Sequence, residues 1–135
     1  MSKNFVPARF HIKEQADAFK RFGAQWTPTI LILDPTGKEQ HRIEGYLPAE
    51  DFLAQLHLGL GHTAFKTGKF EEAEKWFRSV VEKFPSTEAA AEAQYWAGVA
   101  RYKGANDASA LKATADAFKK RYSDTSWAKK ASIWA

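Results

Sequence analysis

The sequence predicts an α+β chain in which a short βαββα unit runs into an α-helical hairpin array. Two observations predict the first half: a continuous apolar run at residues 29–34 between Pro28 and Pro35, and an alternating segment after the turn that follows it. A third predicts the second half. From residue 47 onward apolar side chains fall at helical spacing, and Gly61 recurs as Gly98 after 37 positions, the mark of a repeated helical unit.

The 135 residues suffice for one domain or for two small units sharing an interface. Hydrophobic residues at 44% and charged residues at 27% are ordinary globular values, so a folded chain is expected. Ten Phe and five Trp supply large pieces of buriable surface. The net charge of +4 is modest, and basic residues alternate with acidic ones along the predicted helices, which argues against nucleic acid as a partner. There is no cysteine, so thiol catalysis, disulfides and thiolate metal sites are excluded, while the redox compartment stays open. No apolar run approaches the ~20 residues of a membrane helix, and residues 1–4 lead into a strand-like segment without a signal-peptide core. The expectation is a cytoplasmic protein without membrane contact, with the native start left open.

Residues 5–12 carry aromatic and β-branched side chains in partial alternation and predict a strand with Pro7 near its start. A helix over residues 14–22 follows, apolar at Ala16, Ala18, Phe19 and Phe22, with Gly23 placed for a left-handed C-terminal turn. The run at 29–34 predicts a strand buried on both faces, and Asp34-Pro35-Thr36-Gly37 is a turn signal. Residues 39–44 return as an edge strand around Ile43, and Gly45 closes the unit. Pro48, Glu50 and Asp51 suit a helix N-terminus. Phe52, Leu53, Leu56 and Leu60 then keep helical spacing, and the pattern continues through Leu58, Ala64 and Phe65 to Gly68. One helix over about residues 48–67 is therefore expected to belong both to a first unit, residues 1–58, and to the array, residues 54–135, without a linker.

Trp26-Thr27-Pro28-Thr29, the run Ile30-Leu31-Ile32-Leu33-Asp34 and the Gly37 turn resemble the thioredoxin fold from its second core strand onward, over roughly residues 4–58. The resemblance implies a cis peptide bond at Pro28, a Thr27 main chain that pairs with extended peptide, and a Trp26 ring flanking that shelf. Pro28 shaping a tight approach to the strand is the other reading. The half of that family's fold that carries Cys-x-x-Cys is lacking, so the resemblance implies a redox-inactive unit whose central strand is missing. The remaining strands are expected either to close into a three-stranded antiparallel sheet or to accept a strand from a second copy or another protein.

Gly61, Gly68, Phe70, Ala73, Phe77, Val80 and Pro85 resemble the tetratricopeptide repeat, with Gly61 at its eighth position, Ala73 at the twentieth, Phe77 at the twenty-fourth and Pro85 at the thirty-second. Small residues there let paired helices approach while aromatic ones fill the gaps between pairs. A weaker second copy follows. Tyr122-Ser123-Asp124-Thr125 echoes Phe84-Pro85-Ser86-Thr87 with Ser123 in place of the proline, Ala105 stands near the expected turn glycine, and Asn106-Asp107 lengthens and caps that turn. Residues 127–134 begin a third first-helix, and the thioredoxin-like half would cap the other end. In this family first-helix residues line a concave groove. The resemblance therefore implies a groove of Gln55, His62, Phe65 and Lys66, then Glu92, Tyr95, Val99, Tyr102 and Lys103, with equivalent lysines suited to an acidic or C-terminal peptide.

Enzyme signatures are missing: there is no glycine-rich phosphate loop, no Gly-x-Ser-x-Gly elbow and no His-Glu-x-x-His helix. His57 and His62 share a predicted helix, but five positions separate them by about 140° of rotation, so no metal site is expected. His11 and His41 lie on predicted strands without an evident carboxylate partner. Glu71-Glu72 reads as charge complementing a helix dipole, and Trp76, Trp96, Trp127 and Trp134 as packing. The function expected is a non-catalytic protein- or peptide-binding or scaffold module without cofactor or metal, with a possible homodimer through the open sheet edges. The alternatives are the C-terminal part of a thiol-disulfide oxidoreductase whose redox half lies upstream, and a purely structural oligomerising protein.

Overall fold

A computed structural model describes residues 4–9, 16–23, 29–45 and 47–135. In chain order these form α1 (Ala16–Arg21), β1 (Thr29–Leu33), β2 (Glu39–Glu44), α2 (Ala49–Lys66), α3 (Phe70–Lys83), α4 (Glu88–Ala105), α5 (Ser109–Lys120) and α6 (Ser126–Ala131), closed by a 3₁₀ turn at Ser132–Trp134. The chain is a mixed α+β protein.

The two strands make an antiparallel hairpin with Ile30 opposite Ile43, Leu31 opposite Arg42 and Ile32 opposite His41, and the register slips between Ile32 and Leu33. Its turn is built by Asp34, whose Oδ1 accepts the Thr36 hydroxyl at 2.5 Å and the Thr36 and Lys38 amides at 2.9 and 3.0 Å. These donors, the Thr36 hydroxyl first, hold the Asp34 carboxyl below its usual range. Gly37 takes φ +88, open to glycine at no steric cost.

Opposed residues of an antiparallel pair share a face. Ile30, Ile32, His41 and Ile43 therefore face α2, where Ile32, Ile43 and Leu56 form a small buried core flanked by Phe5, Ile30 and Phe52. Burying each of these three is worth roughly 1.5–3 kcal/mol, enough to hold the hairpin on the helix. The opposite face carries Arg42, which reaches the carbonyls of Phe22 and Gly23 at the end of α1.

Two expectations for the sheet are corrected. Residues 5–9 are irregular and Val6 is 97% exposed, while residues 10–12 lie outside the described residues, so no three-stranded sheet forms among the described residues. Pro7 has no N–H to give a ladder, and Phe5 is instead used as a side-chain contact with the small core. Nor is β1 buried on both faces. Ile32 is buried and Leu33 is 38% exposed, because helical cover with apolar side chains lies on one face only among the described residues.

α2 runs without a break from the sheet to the helical half. Phe52, Leu56 and Gly59 meet the hairpin, and Ala54, Leu58 and Ala64 enter the main core with Ala73, Phe77, Val80, Ala93 and Ala97. It ends at Gly68, φ +81, whose amide bonds Phe65 O. α3 packs on both α2 and α4, and α4 packs on α5. Gly61 abuts the Phe77 ring and Gly98 abuts Thr114, the same 16-position interval in the two helical hairpins. α4 buries Ala89, Ala90, Ala93, Ala97 and Ala100, small side chains that let its neighbours close on it. It stops where Asn106 adopts φ +51, and Asp107 Oδ1 accepts the Ser109 amide at 3.1 Å to start α5. Thr125 caps α6 through the Ala128 amide.

Candidate functional site

The groove residues predicted from α2 and α4 fall into two groups. Positions 55, 62 and 66 repeat at 7 and 4, one helical face, and that face meets β2. His41 donates Nε2–H to Gln55 Oε1 at 2.7 Å and stacks on the His62 ring at 5.9 Å with 30° between planes. His62 in turn donates Nε2–H to Glu92 Oε2 of α4 at 3.3 Å, and Lys66 Nζ reaches the Gln40 carbonyl at 3.5 Å. An extended segment of the chain itself thus lies along the α2 part of the groove, touched through one backbone carbonyl and one side chain.

Burial holds His41 below the ordinary histidine value. The Gln55 contact opposes that shift, and the neighbouring His62 and Lys66 add to it. His57, on another face of α2, is also held low by burial and then by Lys83; its ring packs edge-on against Trp76 and Phe84, and Nδ1 lies 3.2 Å from Ser79 Oγ.

The second group is aromatic. Phe70 meets Phe65 at 5.1 Å between ring centroids, Phe65 meets Trp96 at 5.3 Å, Trp96 meets Tyr95 at 5.5 Å, and Tyr95 stacks on Trp134 at 4.9 Å and touches Trp127 at 5.2 Å. All six rings are half-buried, so each keeps some surface in solvent. At one end Lys103 Nζ stands 6.0 Å from both Phe65 and Phe70; at the other Lys130 Nζ stands 4.2 Å over Trp127. Val99 is half-buried and Tyr102 is 37% exposed on α4.

Among the predicted residues, Gln55, His62, Lys66 and Glu92 gather at the β2 side, and Phe65, Tyr95 and Lys103 join the ring series. The two lysines do not share a partner: Lys66 is on a carbonyl and Lys103 over rings. Trp26, Thr27 and Pro28 lie outside the described residues. Sequence reasoning missed His41, whose partner Gln55 is 14 positions away on another element. The alternation that puts Ile43 inside puts His41 on the same face, and that was the available signal. It also treated Trp96 as packing alone, although its ring contacts His62, Phe65 and Tyr95.

A separate open depression of about 410 Å³ lies against α3, α4 and α5, floored by Ala97, Gly98 and Ala110 and rimmed by Arg78, Arg101 and Asp107. On this rim Arg78 pairs with Glu74 at 2.6 Å and Arg101 with Asp107 at 3.5 Å. Among the described residues no three His, Asp or Glu side chains are placed to hold a metal ion, and no helix is long and apolar enough to cross a membrane.

Residues 2–59 match the family described as thioredoxin-like domain. No curated protein and no solved structure matches the chain.

Proposed function

We propose, taking the thioredoxin-like character of residues 2–59 as the premise, that the chain is a non-catalytic peptide-binding module whose groove follows tetratricopeptide logic. The observation that carries this reading is the ring series from Phe70 to Trp134 with an ammonium group at each end. Half-exposed aromatic surface offers contact area at low entropic cost, and Lys103 and Lys130 select acidic groups on the ligand. The equal spacing of the Gly61–Phe77 and Gly98–Thr114 contacts supports two equivalent helical hairpins. With β2 resting on the α2 side, the ligand lies along α4 and the C-terminal turn.

Titration of the intrinsic tryptophan fluorescence with a short acidic, aromatic-containing peptide tests this. Saturable binding is expected, weaker for Lys103→Glu and Lys130→Glu and weaker in high salt. Equal binding of acidic and basic peptides, or identical behaviour of the lysine variants, would refute it.

A second reading draws on the family match alone: a thiol oxidoreductase whose Cys-x-x-Cys half is supplied by a separate stretch of polypeptide. Under it, reduction of a disulfide substrate needs that half to be added, because this chain has no thiol of its own.

A further inference from the structure

The ring series carries polar atoms whose hydrogen-bonding capacity is unspent. Among the described residues the indole N–H groups of Trp96, Trp127 and Trp134 and the ammonium groups of Lys103 and Lys130 have no hydrogen-bond or ion-pair partner. Buried side-chain polar atoms left without a partner occur there only on Gln40 and Gln94, so these indole nitrogens reach solvent. Indole N–H and ammonium groups donate and never accept. Glu92, the one carboxylate among the predicted groove residues, is already taken by His62. Apart from the Tyr95 phenol, the side chains of the series therefore offer donors alone.

The rings stand edge-on to one another: Phe70 and Phe65 at 76° between planes, Phe65 and Trp96 at 72°, Trp96 and Tyr95 at 83°. An edge-on pair covers a face of one ring, whereas a stacked pair covers a face of each, so ring faces remain for a ligand. A helical ligand would need a groove to bury its side, and an ordinary extended strand presents as many N–H donors as carbonyl acceptors. Proline has no N–H and holds φ near about −65°, so a run of it forms a polyproline II rod whose carbonyls stay free to accept. That rod is ordered before it binds and loses little conformational entropy on an open aromatic surface.

We infer that the ligand of this surface is a proline-rich segment flanked by acidic residues, an inference that rests on the peptide-binding reading above. Pyrrolidine rings pack on the faces of Phe65, Trp96 and Tyr95, backbone carbonyls accept from the indole N–H groups of Trp96 and Trp134, and carboxylates meet Lys103 and Lys130. The contacts that run from Lys103 through Phe65, Trp96, Tyr95 and Trp127 to Lys130 limit the spacing of the two acidic groups to about eight residues at ~3.1 Å of rise each. An acidic segment without proline keeps the charge contacts but brings N–H groups that these side chains do not match.

Fluorescence anisotropy would compare two labelled, amidated peptides with paired aspartates at each end, one with a central run of prolines and the other with alternating Ala and Ser of the same length. The proline peptide is expected to bind roughly tenfold more tightly. In proton–nitrogen correlation spectra, assigned by single Trp-to-Phe substitutions, the Trp96 and Trp134 indole signals should shift as that peptide saturates the protein. Trp134→Phe keeps an aromatic ring and removes the N–H, so it should weaken the proline peptide several-fold and the Ala-Ser peptide less. If that variant misfolds, the indole shifts of the unaltered protein decide. Equal affinity for the two peptides, or tighter binding of the Ala-Ser peptide, would overturn the preference for proline and leave the groove reading standing. So would binding of the acidic aromatic peptide alone. Binding of the proline peptide with both indole signals unmoved would overturn it too, by placing the contact elsewhere. No binding of any of the three would overturn both readings.

Discussion

The phenol of Tyr122 donates a hydrogen bond of 2.6 Å to the carbonyl oxygen of Pro85, 37 positions earlier. That interval is the one that separates Gly61 from Gly98, so the bond ties the turn after α5 to the equivalent turn after α3. Tyr122 adopts φ +66, rare for a residue with a side chain, and burial raises its phenol above the ordinary tyrosine value, which keeps the donor protonated.

Tyr122→Phe should keep the ring in its place against the small core of Ala91, Phe118 and Ala131 and lose only this bond. A loss of about 0.5–1.5 kcal/mol is expected from the urea midpoint. An unchanged midpoint would show that the tie contributes nothing to holding the two turns together.

A side chain at position 61 would place its Cβ 2.5 Å from Cε1 of Phe77, which is fully buried. Gly61→Leu should overpack the α2–α3 contact and lower stability by about 1–3 kcal/mol. Adding Phe77→Leu should recover part of that loss, because the two sites share one space. A single variant as stable as the parent would contradict the close approach.

His41 and His57 are both held below the ordinary histidine value by burial. The unfolded chain therefore takes up protons at a higher pH than the folded chain does. Stability should be at its full value above about pH 6.5 and fall as the pH drops toward the depressed folded values. Urea midpoints across this range should decline for the parent and decline less for His41→Gln. A flat profile from neutral pH to about pH 5 would mean that neither histidine is disfavoured as a cation in the fold.

Among the described residues β1 and β2 pair only with each other, and a strand edge that is left open accepts another strand. We expect self-association through these edges, with sedimentation equilibrium giving roughly twice the mass of one chain at micromolar concentration. Leu33→Lys, at the exposed end of β1, should weaken it by placing a charge where strands would meet. A monomer at high concentration would rule this association out.

What the sequence by itself determined was local. The Asp34–Gly37 turn, the alternation around Ile43 and the unbroken apolar register from Phe52 to Gly68 each rest on forces acting within a few residues, and β1, β2 and α2 follow them. The match of residues 2–59 was legible from Trp26 to Gly37 for the same reason. The tertiary structure alone decided which faces meet. Residues 5–9 have strand-like composition but no ladder, because a strand exists only where a partner offers its backbone. Gln55 and His62 read as groove residues facing outward, and it was the seating of β2 on α2, driven by Ile32, Ile43 and Leu56, that brought His41 against both. Trp96 has the same local pattern whether it fills a core or bridges Phe65 to Tyr95, since helical periodicity specifies the side that is covered and not what covers it.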